Sequence, residues 1–184
     1  MNEIVEVHQM EAIERVYTTI DRSGWESGPW DGEPDKVQFA DTATGLPCLA
    51  KRNHYGNWCG YVGVSSEHPL FGVAHNSCPQ GCQEWCEHAP DHIIEVHGGL
   101  TYSDACEKGP EATSICHIPA PGEPDHVWWF GFDCGHAYDL APGLQAEYRR
   151  YGLSESRDGD VYRTLEYVRQ ECASLAAQLA AFCP

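Results

Sequence analysis

The chain has 184 residues, 42% of them hydrophobic, and carries 28 Asp+Glu against 11 Lys+Arg for a formal net charge of -17. That length suits one domain with its own hydrophobic core. The negative field works against DNA, RNA and anionic membranes, because non-specific nucleic-acid binding needs basic side chains to displace counterions.

The charge leaves solubility, divalent-cation binding, or imitation of nucleic acid toward a basic partner protein as its uses. The segment MNEIVEVHQMEAIERVY is acidic and broken by charge every two or three residues, unlike the basic start and apolar run of an export signal. No stretch approaches the ~20 apolar residues that span a bilayer. A cytoplasmic protein is the expectation. In a reducing compartment the ten Cys then read first as metal ligands or buried thiols.

In chain order, Val7, Met10, Ile13 and Val16 or Tyr17 recur at spacings of three and four, predicting an amphipathic helix within 1–24. Alternation at Val37 and Phe39, the turn TATG, and then LPCLAKR predict a hairpin; GNWCGYVGV predicts a third strand. Residues 65–91 hold Pro69, Pro79, Gly81 and Pro90 without periodicity, an irregular excursion long enough to need an organiser. DHIIEVHGGLTYS predicts a strand, followed by a second irregular stretch, and HVWWFGFDC predicts another. Within 160–183, Leu165, Val168, Cys172, Leu175, Leu179 and Phe182 repeat at 3-4-3-4-3 spacing, an amphipathic helix with one apolar stripe. The expectation is a single α+β domain over 1–184. Its mostly antiparallel sheet has about five strands, and the C-terminal helix packs on one face.

The candidate site comes from strand alternation. In HVWWFGFDC, Trp128, Phe130, Phe132 and Cys134 share a bulky core face. Val127, Trp129, Gly131 and Asp133 share the other, so Asp133 sits at a strand end with His136 and Asp139 turned back toward it. Two carboxylates and an imidazole suit Zn²⁺, Mn²⁺ or Fe²⁺. Read as a strand, IIEVHGGLTYS turns Ile94, Val96 and Leu100 inward and puts Glu95, His97 and Gly99 on the groove side, with Tyr102 nearby. His97 and Asp133 would then converge, an imidazole–carboxylate pair fit for general-base work or for a metal-bound water. The plainer reading makes Asp133 a turn or helix cap and the two His solvated neighbours.

His75, Cys78, Cys82, Cys86 and His88 crowd the first excursion; Cys106 and Cys116-His117 lie in the second. Four thiolate or imidazole ligands around a structural zinc would order such a loop, with Cys78, Cys82, Cys86, His88, Cys106 and Cys116 as the ligand candidates. The C-x₃-C-x₃-C spacing is not the paired C-x₂-C of zinc ribbons, so disulfides (Cys106 with Cys116) and unligated thiols stay open. Cys48, Cys59, Cys134, Cys172 and Cys183 fall in strand or helix patterns and read as buried thiols. P-loop, GxGxxG, GxSxG, HExxH and zinc-deaminase motifs are all absent.

The segments VHGGLTYS, ICHIPAPGEPDHVWWFGFDCGHAYD and YRTLEYVRQECASLAAQL resemble a family of bacteriophage and prophage proteins, also found in actinobacterial and proteobacterial genomes. The resemblance runs from about Gly45 onward. The family pattern puts Ala at the place of Gly135 and a small residue at that of Tyr138, so Tyr138 would narrow the groove here. The resemblance implies a phage or mobile-element context, with interference in host defence as the matching role. Together the readings give two functional expectations. One is a metal-dependent hydrolase of a small nucleotide-like or phosphorylated molecule, with a divalent metal among His97, Asp133, His136 and Asp139. The other is a non-enzymatic binder of a small molecule or host protein, stiffened by a loop zinc.

Overall fold

The computed structural model describes residues 14–79, 87–153 and 159–182. Six strands form one antiparallel sheet in the order β1-β2-β3-β4-β6-β5: β1 Arg15–Tyr17, β2 Lys36–Ala40, β3 Pro47–Arg52, β4 Trp58–Ser65, β5 Tyr102–Ala105 and β6 Val127–Asp133. Among the described residues three α-helices accompany it: α1 Pro90–Ile93, α2 Pro142–Arg150 and α3 Leu165–Ala180. The α+β class and the antiparallel sheet are as expected, with six strands in place of five. The extra strand is β1, formed by residues assigned to the N-terminal helix; most of that predicted helix lies outside the described residues. Helix α2 lies in a stretch for which the sequence predicted no element.

The hairpin β2–β3 closes as the turn residues dictate. Asp41 accepts from the backbone N–H and hydroxyl of Thr44, and Gly45 takes a positive φ of 74° that other residues rarely adopt. β4 and β6 pair over seven residues at the sheet centre. Alternation along β6 sorts its side chains as read from the sequence: Phe130, Phe132 and Cys134 enter the main core, with Trp128 packed against it. The stripe of α3 covers that face. Val168, Cys172, Leu175 and Leu179 are all fully buried, with Leu165 and Phe182 packed at its margins, each full burial contributing about 1.5–3 kcal/mol.

The opposite face is not an open groove. Leu49, Cys59, Tyr61, Val127 and Trp129 form a second cluster, covered by Tyr102, Cys106 and Ile115 from the strand β5 and the irregular stretch after it. Lys36, buried on β2, ties that cover down by donating to the carbonyls of Glu111 and, at 3.0 Å, Cys116.

The described part of the first excursion is organised by ordinary hydrogen bonds. The ring of His68 accepts from Leu70 N–H and donates to the Leu179 carbonyl of α3. Trp128 Nε1 donates to Val73 O, and the Ser103 hydroxyl of β5 accepts from His75 N–H and meets His75 Nδ1 at 3.1 Å. With Leu70 fully buried, this part of the segment is pinned to both the helix and the sheet.

The stretch 92–101 departs from its predicted strand. The chain makes α1, then a loop, and turns at Gly98–Gly99 before β5 begins at Tyr102. Its backbone finds partners on α3 instead of a neighbouring strand: Glu171 accepts His97 N–H, while Gln178 both accepts Glu95 N–H and donates to Glu95 O. Backbone groups satisfied by helix side chains need no ladder.

A buried polar anchor joins the sheet to the start of α3. Arg52, 3% exposed, donates to Glu33, Tyr162, Pro34 O and Gly56 O, and its guanidinium lies 4.2 Å over the Trp58 ring. The other Glu33 oxygen accepts Leu165 N–H at the N-terminus of α3, where the helix dipole favours a carboxylate. This anchor fixes Tyr162 and, one residue on, Arg163. No helix among the described residues is long and apolar enough to cross a membrane.

Candidate functional site

His97, His136 and Asp139 come together at the end of β6, their ligand atoms all within 4.8 Å of one another. Three separate pieces of chain supply them. The loop before β5, clamped to α3 by Glu171 and Gln178, carries His97. The turn leaving β6 carries His136. A parallel bridge between Asp139 and Val161 holds the acid and brings the following segment, with Arg163, against it.

Asp139 is the hub. Its side chain is 1% exposed; one oxygen accepts from His97 Nε2 at 2.8 Å and from His136 N–H at 3.1 Å, the other from Arg163 Nε at 2.9 Å. Burial by itself would raise its pKa, but the hydrogen bonds from Arg163 and His97 outweigh that and hold the carboxyl below the ordinary range. The pairing with Asp139 in turn raises the pKa of Arg163. On the far side of the His97 ring, Nδ1 meets the Tyr167 hydroxyl at 2.9 Å.

His136 differs from His97. Its side chain is 36% exposed, yet its Nδ1 is buried without a hydrogen-bond partner, 3.8 Å from Asp133 Oδ1 and 3.9 Å from Asp139 Oδ2. Its ring lies on the bare backbone of Gly98, where an added Cβ would fall 2.1 Å from His136 Cε1. Gly98 also has a φ of 68°. Gly98→Ala is therefore expected to displace the His136 ring and cost about 1–3 kcal/mol in backbone strain and overlap; a urea unfolding midpoint equal to the parent's would contradict this contact. Tyr138, in the same turn, is a non-glycine at φ 73° with an exposed ring, so the β6 exit is held in a sparsely populated conformation.

The five expected catalytic residues divide. His97, His136 and Asp139 converge, but the carboxylate on His97 is Asp139 and not Asp133, because the loop carries His97 toward α3 and not along a strand beside β6. Asp133 stays at the rim, accepting from Gly135 N–H and Thr101 Oγ1, with only His136 in reach. Tyr102 does not belong to the cluster. It pairs opposite Gly131 on the second sheet face and packs edge-on against Tyr61; burial raises its pKa to about 12.

Arg163, Tyr167 and Glu171 went unread as site residues. Their spacing of four and four places them on one face of the terminal segment and α3, a polar stripe beside the apolar one.

The expected zinc set is altered as well. Cys106 and Cys116 form a disulfide, so neither is a thiolate ligand in this state, and Cys78 is also disulfide-bonded. Cys82 and Cys86 lie outside the described residues, and His88 is exposed. What remains at the second cluster is His117, next to the disulfide and edge-on to Trp129, its basicity lowered chiefly by burial. Cys48, Cys59, Cys134 and Cys172 are free buried thiols, as read, and Cys183 lies outside the described residues.

No protein-family model, curated protein or solved structure matches this chain.

Proposed function

We propose that the protein is a metal-dependent hydrolase of a small phosphorylated or nucleotide-like molecule, with a divalent transition ion held by His97, His136 and Asp139. The observation that carries this reading is the orphaned Nδ1 of His136, a buried lone pair or N–H aimed between two carboxylates beside a second imidazole. Buried polar atoms are nearly always satisfied, and an ion at this point would satisfy this one.

The donor set fits. Ligand atoms around a zinc-sized ion stand about 3 Å apart, and the spacings of 2.8 and 3.9 Å to Asp139 Oδ2 bracket that value. With Nε2 given to the ion, His97 Nδ1 would carry the proton and donate to Tyr167, the outer hydrogen bond that orients a ligating His.

A bound ion would supply a Lewis acid for a phosphoryl oxygen and lower the pKa of a water. Asp133, half-buried at the rim within reach of His136, would accept a proton from that water. Arg163 supplies the nearby cation that an anionic substrate needs on so acidic a protein.

A second reading has its own support. Asp139 already has three hydrogen-bond partners from three chain segments, which also suits a rigid binding scaffold with no turnover. The phage context implied by the sequence resemblance is compatible with either reading.

The test is incubation of Zn²⁺- or Mn²⁺-loaded protein with p-nitrophenyl phosphate, bis-p-nitrophenyl phosphate and a panel of nucleotides, followed by phosphorus NMR. Release of product that disappears in His136→Ala supports the hydrolase. Full recovery of every compound, with binding retained, replaces it by the binder.

A further inference from the structure

The second side-chain cluster lies on the other face of the sheet, apart from the His97 centre. Cys106 and Cys116 are joined there, and His117 is 5% exposed directly beside them. Its Nε2 lies 3.2 Å from Pro124 O, a partner that can only accept, so Nε2 carries the proton and Nδ1 presents a lone pair. That Nδ1 is buried and has no hydrogen-bond partner. A ring nitrogen of His117 lies within 4.8 Å of both sulfurs. An imidazole with one nitrogen fixed by a backbone carbonyl and the other buried and bare, set beside two sulfurs, is built like a ligand.

We propose that Cys106, Cys116 and His117 form a redox-gated zinc site, closed while the disulfide stands and opened by its reduction. The gate is chemical. In the disulfide each sulfur's anionic pair is spent on the S–S bond. A dithiol supplies two electrons and two protons and ends as its own disulfide, or a phosphine supplies two electrons and ends as its oxide while water gives the oxygen and two protons; either yields two thiols. Each thiol loses its proton on binding Zn²⁺, so two protons leave per ion and the two thiolates cancel its charge. Zinc–sulfur and zinc–nitrogen bonds of about 2.3 and 2.0–2.1 Å require the sulfurs to part by only an ångström or two within this envelope.

The surroundings favour the thiolates. Trp129 Nε1 donates to Cys106 Sγ at 3.4 Å, and Lys36 Nζ donates to Cys116 O at 3.0 Å. Three protein ligands leave the fourth tetrahedral position to water or an outside ligand. The fold couples the gate to the sheet, because the same disulfide loop covers Tyr61 and Trp129.

The experiment uses full-length protein carrying His97→Ala and His136→Ala, so that the first centre cannot contribute. Co²⁺ is titrated anaerobically into the oxidised form and into the form reduced with a phosphine and desalted. The expected result is a thiolate-to-cobalt charge-transfer band at one equivalent in the reduced form and none in the oxidised form. His117→Gln keeps both cysteines and is expected to weaken that binding more than about tenfold, while Cys82→Ser leaves it intact. A reduced protein without the band overturns the proposal. So does a band with unchanged affinity in His117→Gln, or one that vanishes in Cys82→Ser.

Discussion

Replacing His136 with Ala is expected to lower transition-metal affinity at the His97 centre by at least about 100-fold, since a ligand is removed and not merely an orienting partner. The fold should survive, because His136 is partly exposed and its Nδ1 makes no hydrogen bond that would be lost. His97→Ala should abolish the same binding but also destabilise the protein. It strips a hydrogen bond from Asp139, which is 1% exposed, and leaves Tyr167 unpartnered at that point; a buried charge that loses a partner costs about 1–3 kcal/mol or more. The pair of variants therefore separates ligand from scaffold. Calorimetric titration of metal-free protein with Zn²⁺ is the measurement, with thermal melts alongside. Equal zinc affinity in His136→Ala and the parent would remove the metal centre and with it the hydrolase reading.

Raising the pH above 9 is expected to unfold the protein steeply. Four free thiols are buried: burial pushes Cys48 up to about 12 and Cys59 up to about 11, and raises Cys134 and Cys172 as well, from an ordinary value of 9.0. Between 9.0 and these native values the unfolded chain has released protons that the folded chain still holds. Stability then falls as pH rises, by up to about 1.4 kcal/mol per pH unit for each thiol. Four together approach about 5 kcal/mol per unit, comparable with the whole stability of an ordinary domain. Lys36 acts in the opposite sense. Burial lowers it to about 8 from 10.5, so in that window the unfolded chain binds the extra proton and stability rises with pH. One lysine offsets one thiol, and only below 10.5. Urea midpoints should thus change little from pH 8 to 9 and drop sharply from 9 to 10.5. Replacing Cys172 with Ala should make the drop shallower. A flat midpoint to pH 10.5 would mean the thiols are not held protonated in the fold.

Much of the frame is decided by local pattern. The 3-4-3-4-3 stripe of α3, the alternation that buries Phe130 and Phe132, and the β2–β3 turn are each set by periods of 3.6 or 2 and by turn chemistry acting within a few residues. The same alternation correctly turned Cys134 inward. It also put His97, His136 and Asp139 among the candidates, since their residue types alone suit a metal or a proton relay.

What no local pattern could decide is which partner each of these residues meets. IIEVHGG alternates well enough for a strand, yet its backbone is claimed by Glu171 and Gln178, more than seventy residues away along the chain. That capture swings His97 toward Asp139 and Arg163 and leaves Asp133 at the rim. Tyr102 was expected at a groove and Cys106 among zinc ligands or in a disulfide, but the loop that folds back across the second face packs both against a core. In each case the deciding energy is the satisfaction of buried polar groups and the covering of apolar surface by distant chain. These depend on the tertiary arrangement and leave no signature at fixed spacing.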